Sequence, residues 1–279
     1  MGQASGEPTA KFFTGGSPEA TDWSPYEWDD PIHGHQVIGE TAVIRDGGTM
    51  GTHVAGFWRS GPGLPGCGPD GSCRMPYSAA HGDETIVVLE GEATITVTAT
   101  GRQHYLTRGS ILCHPKNVDL VWDITSPSFK RFTALWDSAK EATAMHDVII
   151  GNIDDNPETW TTYQWDEPAE GPQVAGELYF VRATGSTGTL LTGIWRCGPG
   201  VAGSEADGSL SVPYTSPLGD ETELILEGRV HVRDSDTGEE REFGPGDVIG
   251  VCAGHHVTWS ALTPVKKLWV ITHERLPTG

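Results

Sequence analysis

The chain has 279 residues and a formal charge of −20 at pH 7, from 38 Asp and Glu against 18 Lys and Arg. A field of that sign repels nucleic acid and anionic membrane surfaces. No run of about 18 apolar residues and no basic-then-apolar start is present, so a soluble cytoplasmic protein is expected. Thirty-seven glycines and 19 prolines, with few runs of helix formers, point to an all-β chain of short strands and turns.

In chain order, residues 1–22 read as a disordered or strap-like tail. Beyond them an internal repeat organises the chain. YEWDDP at Tyr26 returns as YQWDEP at Tyr163, an offset of 137, and GFWRSGPG at Gly56 returns as GIWRCGPG at Gly193. MPYSAAHGDETIVVLEG, ending at Gly91, returns as VPYTSPLGDETELILEG, ending at Gly228. Taken without a gap, the register runs from Trp23–Trp136 to Trp160–His273 and sets two domains, 23–140 and 160–279, joined by a linker at 141–159. Inside a copy, Ala93, Ile95 and Val97 alternate with threonines at the period of a half-buried strand, and Gly101 and Gly238 mark hairpin turns. Such strands, with no amphipathic helix, imply a closed barrel or a sandwich. The five cysteines are an odd number at scattered positions, which fits reduced thiols; in the loop CGPDGSC, Cys67 and Cys73 have a disulfide or a soft metal half-site as the alternative.

Glu84-x6-Gly91 followed by Gly109-x5-Pro115, and Glu221-x6-Gly228 followed by Gly246-Asp247, resemble the two motifs of the cupins. With WRxGPG and PYxxxxGDE they resemble most closely the subfamily containing ethanolamine-utilisation proteins and ureidoglycine aminohydrolase. The resemblance implies two tandem double-stranded β-helix barrels of jelly-roll type, packed as a pseudo-dimer. It also implies a divalent metal (Mn, Fe, Zn or Ni) on three histidines and a glutamate inside each barrel. Here the histidine slots hold Tyr77, Ala79 and Leu120 in copy one and Tyr214, Ser216 and Val257 in copy two. One carboxylate per barrel survives, Glu84 and Glu221, so no metal is expected at the usual places.

Those glutamates are the first candidate catalytic residues, because a buried carboxylate is costly unless it is paired or protonated. Against that role stands a structural pairing with Arg59 and Arg196, or with Arg45 and Arg182. Tyr77 and Tyr214 either donate to a ligand beside the glutamate or fill the vacated space. Trp58, Trp195, Trp122 and Trp259, with Arg59 and Arg196, are candidate ligand walls or simply core. Two relocated metal sets are conceivable: Glu221 and Glu223 with His255 or His256, and His53, His81 and Glu84. Histidines at turns are more often solvated or satisfied locally.

Three functions are compatible with these residues. The favoured one is an enzyme acting on a small polar or nitrogen-containing molecule through the Glu and Tyr of one barrel. The others are a metal-dependent hydrolase or oxygenase using relocated ligands, and a noncatalytic ligand-binding or scaffold protein. The expected partner is a small molecule, with a homodimer of the chain left open, and the differing polar residues of the copies suggest that the barrels do not share one job.

Overall fold

The computed structural model describes residues 10–13, 22–138, 140–168 and 170–273, which form 22 β-strands and no α-helix. In copy one, β2 (Ser24–Asp30), β3 (Gly34–Asp46), β4 (Thr52–Ser60), β11 (Phe129–Asp137), β6 (Asp83–Glu90) and β9 (Ser110–His114) lie side by side in that order. The facing sheet is β5 (Cys73–Tyr77), β10 (Leu120–Ile124), β7 (Ala93–Val97) and β8 (Arg102–Leu106). Copy two repeats this with β13 (Thr161–Glu167), β14 (Gly171–Arg182), β15 (Thr189–Cys197), β22 (Val265–His273), β17 (Asp220–Glu227) and β20 (Val248–Val251). Facing them are β16 (Leu210–Tyr214), β21 (Val257–Ala261), β18 (Val230–Asp234) and β19 (Glu240–Phe243).

A seventh strand completes each larger sheet, and it is supplied by the segment leading into the opposite copy. β12 (Ile149–Asn152), within the expected linker, pairs with β9 of copy one, and β1 (Ala10–Phe13), within the expected tail, pairs with β20 of copy two. The tail is therefore a strap at this point. Each edge that would otherwise present unpaired backbone groups is covered by this exchange.

Strand alternation sorts the apolar residues into three cores. Ile86 and Val88 of β6 face Ile95, Leu120 and Trp122 inside barrel one, and Ile225, Val232 and Trp259 sit correspondingly inside barrel two. The opposite faces of the two larger sheets pack on each other, with Phe57, Val87 and Phe132 against Leu190, Leu224 and Leu268. Strands β6 and β17 are thus buried on both sides, which is why TIVVL reads as a continuous apolar run. The motif glycines Gly91 and Gly228 end these strands at φ of 81° and 86°, where a Cβ would lie 2.2 and 2.1 Å from a carbonyl oxygen of the neighbouring turn.

The repeat is not gapless at its end. Trp58 lies opposite Arg131, whereas its equivalent Trp195 lies opposite Lys267, so the last strands correspond at an offset of 136. The turn before β22 is one residue shorter than the turn before β11. An ungapped comparison sets Arg131 against Leu268 and so hides a cation common to both barrels.

Candidate functional site

In the second barrel, the period of two along β17 turns Glu221 and Glu223 inward together, and both are almost fully buried. Tyr214, the last residue of β16, donates its hydroxyl to Glu221 Oε2. Lys267 from β22 places Nζ 3.5 Å from Glu221 Oε1 and closer still to Glu223 Oε1. Trp259 Nε1 donates to Glu223 Oε2 at 3.0 Å. The ammonium also lies over the rings of Trp259 and Trp195, 4.7 and 5.2 Å from their centroids. Burial pushes the Glu223 carboxyl up to about 7; Lys267 pulls against the rise and the charge of Glu221 adds to it. Burial alone would lower Lys267, but the two carboxylates outweigh it and hold the ammonium above its ordinary range.

A cavity of about 290 Å³ reaches this cluster. Its walls are largely aromatic, from Trp165, Trp195, Trp259 and Trp269, and its polar surface includes Tyr214, Glu221 and Lys267. Phe180, half exposed, stacks edge-on against Trp269 in the same lining. Two further lining groups, Tyr163 Oη and Trp269 Nε1, have no hydrogen-bond partner among the described residues.

Barrel one builds a related cluster from different residues. Tyr77 donates to Glu84 Oε1 at 2.5 Å. His114 donates from Nε2 to the Val118 carbonyl at 2.6 Å, which leaves Nδ1 facing Glu84 Oε2 at 3.7 Å, too long for a hydrogen bond. Arg131 lies over Trp122 and Trp58 at 4.7 and 5.1 Å. Burial works to raise the Glu84 carboxyl, but His114, Arg131 and the Tyr77 phenol outweigh it and hold it below the ordinary carboxylate range.

Several sequence candidates lie elsewhere. Arg59 and Arg196 are not inside the barrels: they pair with Glu40 and Glu177 and stack on Trp23 and Trp160, because their strand positions face outward. Arg45 and Arg182 do not pair with the glutamate side chains either. Each crosses to the other barrel, where Arg45 Nη1 donates to the Glu221 carbonyl at 2.7 Å and Arg182 Nη2 to the Glu84 carbonyl at 3.1 Å. His53 lies between the barrels with Nε2 3.0 Å from Thr222 Oγ1, and burial, then the charge of Arg45, holds it well below its usual range. His81 and His256 are exposed, and His255 pairs with Asp234 at 3.0 Å. Neither relocated metal set therefore assembles. The indoles of Trp58 and Trp195 donate to the carbonyls of Ile38 and Ala175, so these rings are core members as well as walls. All five cysteines are free thiols.

Sequence reasoning missed Arg131 and Lys267, and it noted His114 only as one of the histidines particular to copy one, without placing it beside Glu84. A one-residue gap placed between SPSFKR and TPVKK would have aligned Arg131 with Lys267. The metal implied by the resemblance does not fit the residues present. Ala79, Leu120 and Val257 offer no donor, and Glu221 already faces a phenol and an ammonium. Among the described residues, the one group of three metal-capable side chains within mutual reach is Asp234, Asp236 and His255. There Asp234 Oδ1 accepts the N–H groups of Asp236 and Thr237, as a turn carboxylate does.

Residues 184–269 match the model of the EutQ-like cupin domain. No curated protein sequence matches the chain. Among solved structures, the putative glyoxylate-induced protein of Pseudomonas aeruginosa is similar over 100% of this chain and 93% of its own, with TM-score 0.63 and 14% identity. A protein of unknown function from Pseudomonas syringae pv. tomato is similar over 95% of this chain and 100% of its own, with TM-score 0.62 and 17% identity. An oxalate decarboxylase of Bacillus subtilis is similar over 98% and 79%, with TM-score 0.53 and 11% identity. At these identities the likeness carries the fold. The chain is thus an all-β protein of two tandem barrels of the cupin fold, and the match to the EutQ-like cupin domain falls in the second.

Proposed function

We propose that the second barrel binds a small nitrogen-containing organic molecule and acts on it through Glu221 and Tyr214, without a metal at the usual cupin positions. The observation that carries this reading is the aromatic cavity that ends on the Glu221 carboxylate. Lys267 lies closer to Glu223 than to Glu221, so Glu221 is the carboxylate left to meet a ligand N–H. Aromatic walls beside a carboxylate favour an amine over an acid. Tyr163 Oη and Trp269 Nε1 supply donors for a ligand oxygen. The motif resemblance to the ureidoglycine aminohydrolase subfamily points to the same class of compound. In that role Glu221 accepts the ligand's N–H and is the group placed to take its proton, while the hydroxyl of Tyr214 fixes the orientation of the carboxylate.

The test is calorimetric titration with small amines and amides against carboxylic acids of matched shape. Amines should bind more tightly, and Glu221→Gln should weaken them at least tenfold, as loss of a charge-assisted hydrogen bond requires. Absence of amine binding, or unchanged amine affinity in Glu221→Gln, would overturn the reading. Binding without turnover by the wild type would restrict it to a ligand-binding protein, and stoichiometric metal in the purified chain would sink the metal-free part.

A further inference from the structure

The two barrels place one shared pair of donors in different company. In barrel two, the Glu223 carboxylate fills the position between Lys267 and Trp259 Nε1. The residue equivalent to Glu223 in barrel one is Ile86, while Arg131 and Trp122 correspond to Lys267 and Trp259. The donors therefore persist and their acceptor is gone. Arg131 is 3% exposed, yet its Nε and Nη1 have no hydrogen-bond partner among the described residues, nor has Trp122 Nε1. Leaving two guanidinium nitrogens and an indole N–H buried without an acceptor is among the costlier arrangements in a protein interior. Formal charge agrees. Barrel two holds two carboxylates and one ammonium, whereas barrel one sets Glu84 against Arg131.

We infer that barrel one binds a small monocarboxylic acid, whose carboxylate takes the place that Glu223 holds in barrel two and bridges Arg131 and Trp122 Nε1. One added negative charge brings barrel one to the count of barrel two. The flanking unpartnered atoms, Glu84 Oε2 and His114 Nδ1, face the hydroxyl or amino substituent of such an acid. Barrel two is closed to the same ligand because its own side chain occupies the site. This assignment is independent of the amine site around Glu221.

Acetate is the probe, titrated into the full chain and followed by NMR line broadening, with acetamide and ethylamine as shape-matched controls. A ligand of this size is expected to bind on the order of millimolar. The wild type should take one acetate per chain, and neither control should displace it. Ile86→Glu should supply the acceptor internally, raise the melting temperature and weaken acetate at least tenfold. Glu223→Ile should free Lys267 and Trp259 and raise the stoichiometry from one to two, which decides the matter even where Ile86→Glu fails to fold. No acetate binding by the wild type, unchanged binding in Ile86→Glu, or an unchanged stoichiometry in Glu223→Ile overturns the proposal. Failure of the amine titration alone leaves these outcomes unaffected.

Discussion

Lys267 stands beside two carboxylates that neighbour each other on one face of β17. Replacing it by Met leaves both without a cation, and a loss of about 3–5 kcal/mol is expected near neutral pH, read from urea unfolding. The loss should shrink in acid, where both carboxyls can take protons, and the double variant with Glu223→Leu should recover most of it. Glu223 titrates at about 7 when folded against an ordinary 4.5, so between those values the folded state holds more protons than the unfolded one. Its contribution to stability therefore falls as pH rises through that window, and Glu223→Gln should flatten this part of the stability curve. Glu84 has the opposite sign. Its folded value lies below the ordinary one, so its contribution is present above 4.5 and is lost as pH falls through the lowered value, a slope that Glu84→Gln should remove.

At the scale of elements, the reciprocal exchange of β1 and β12 ties each larger sheet to the chain entering the other copy. Removing residues 1–21 strips β20 of its outer neighbour and exposes a row of backbone donors and acceptors. A stability loss of roughly 1–3 kcal/mol is expected, with self-association visible in sedimentation. Unchanged sedimentation and stability would show that the strap contributes little. The motif strands themselves were legible from the sequence, because β7 alternates and β6 runs apolar between a GDE turn and a glycine. The exchanged strands were not, because four residues without a partner sheet in view carry no period of their own.

Across the whole molecule the two barrels share an apolar core and a set of reciprocal hydrogen bonds. Arg45 and Arg182 cross the interface to the peptide carbonyls of Glu221 and Glu84, and the Asp83 and Asp220 carboxylates accept N–H groups from loops of the opposite barrel. Residues 141–279 produced alone would expose Leu190, Leu224 and Leu268 and should self-associate, while the full chain should unfold in a single transition. A stable monomeric half would contradict this picture. The interface also explains why Arg45 and Arg182 recur in both copies, which a search for partners within one barrel could not find.

The sequence by itself determined the duplication, the β architecture and the cupin motifs, and it singled out Glu84, Tyr77, Glu221 and Tyr214 as candidates. All of these depend on local period or on spacing along one chain segment. Only the tertiary structure decided which cation joins each glutamate, where Arg59 and Arg196 point, and that the histidines do not converge. Those outcomes depend on a one-residue difference in a turn and on which face of a strand meets a second sheet, and a period of two turns every such shift into a change of side.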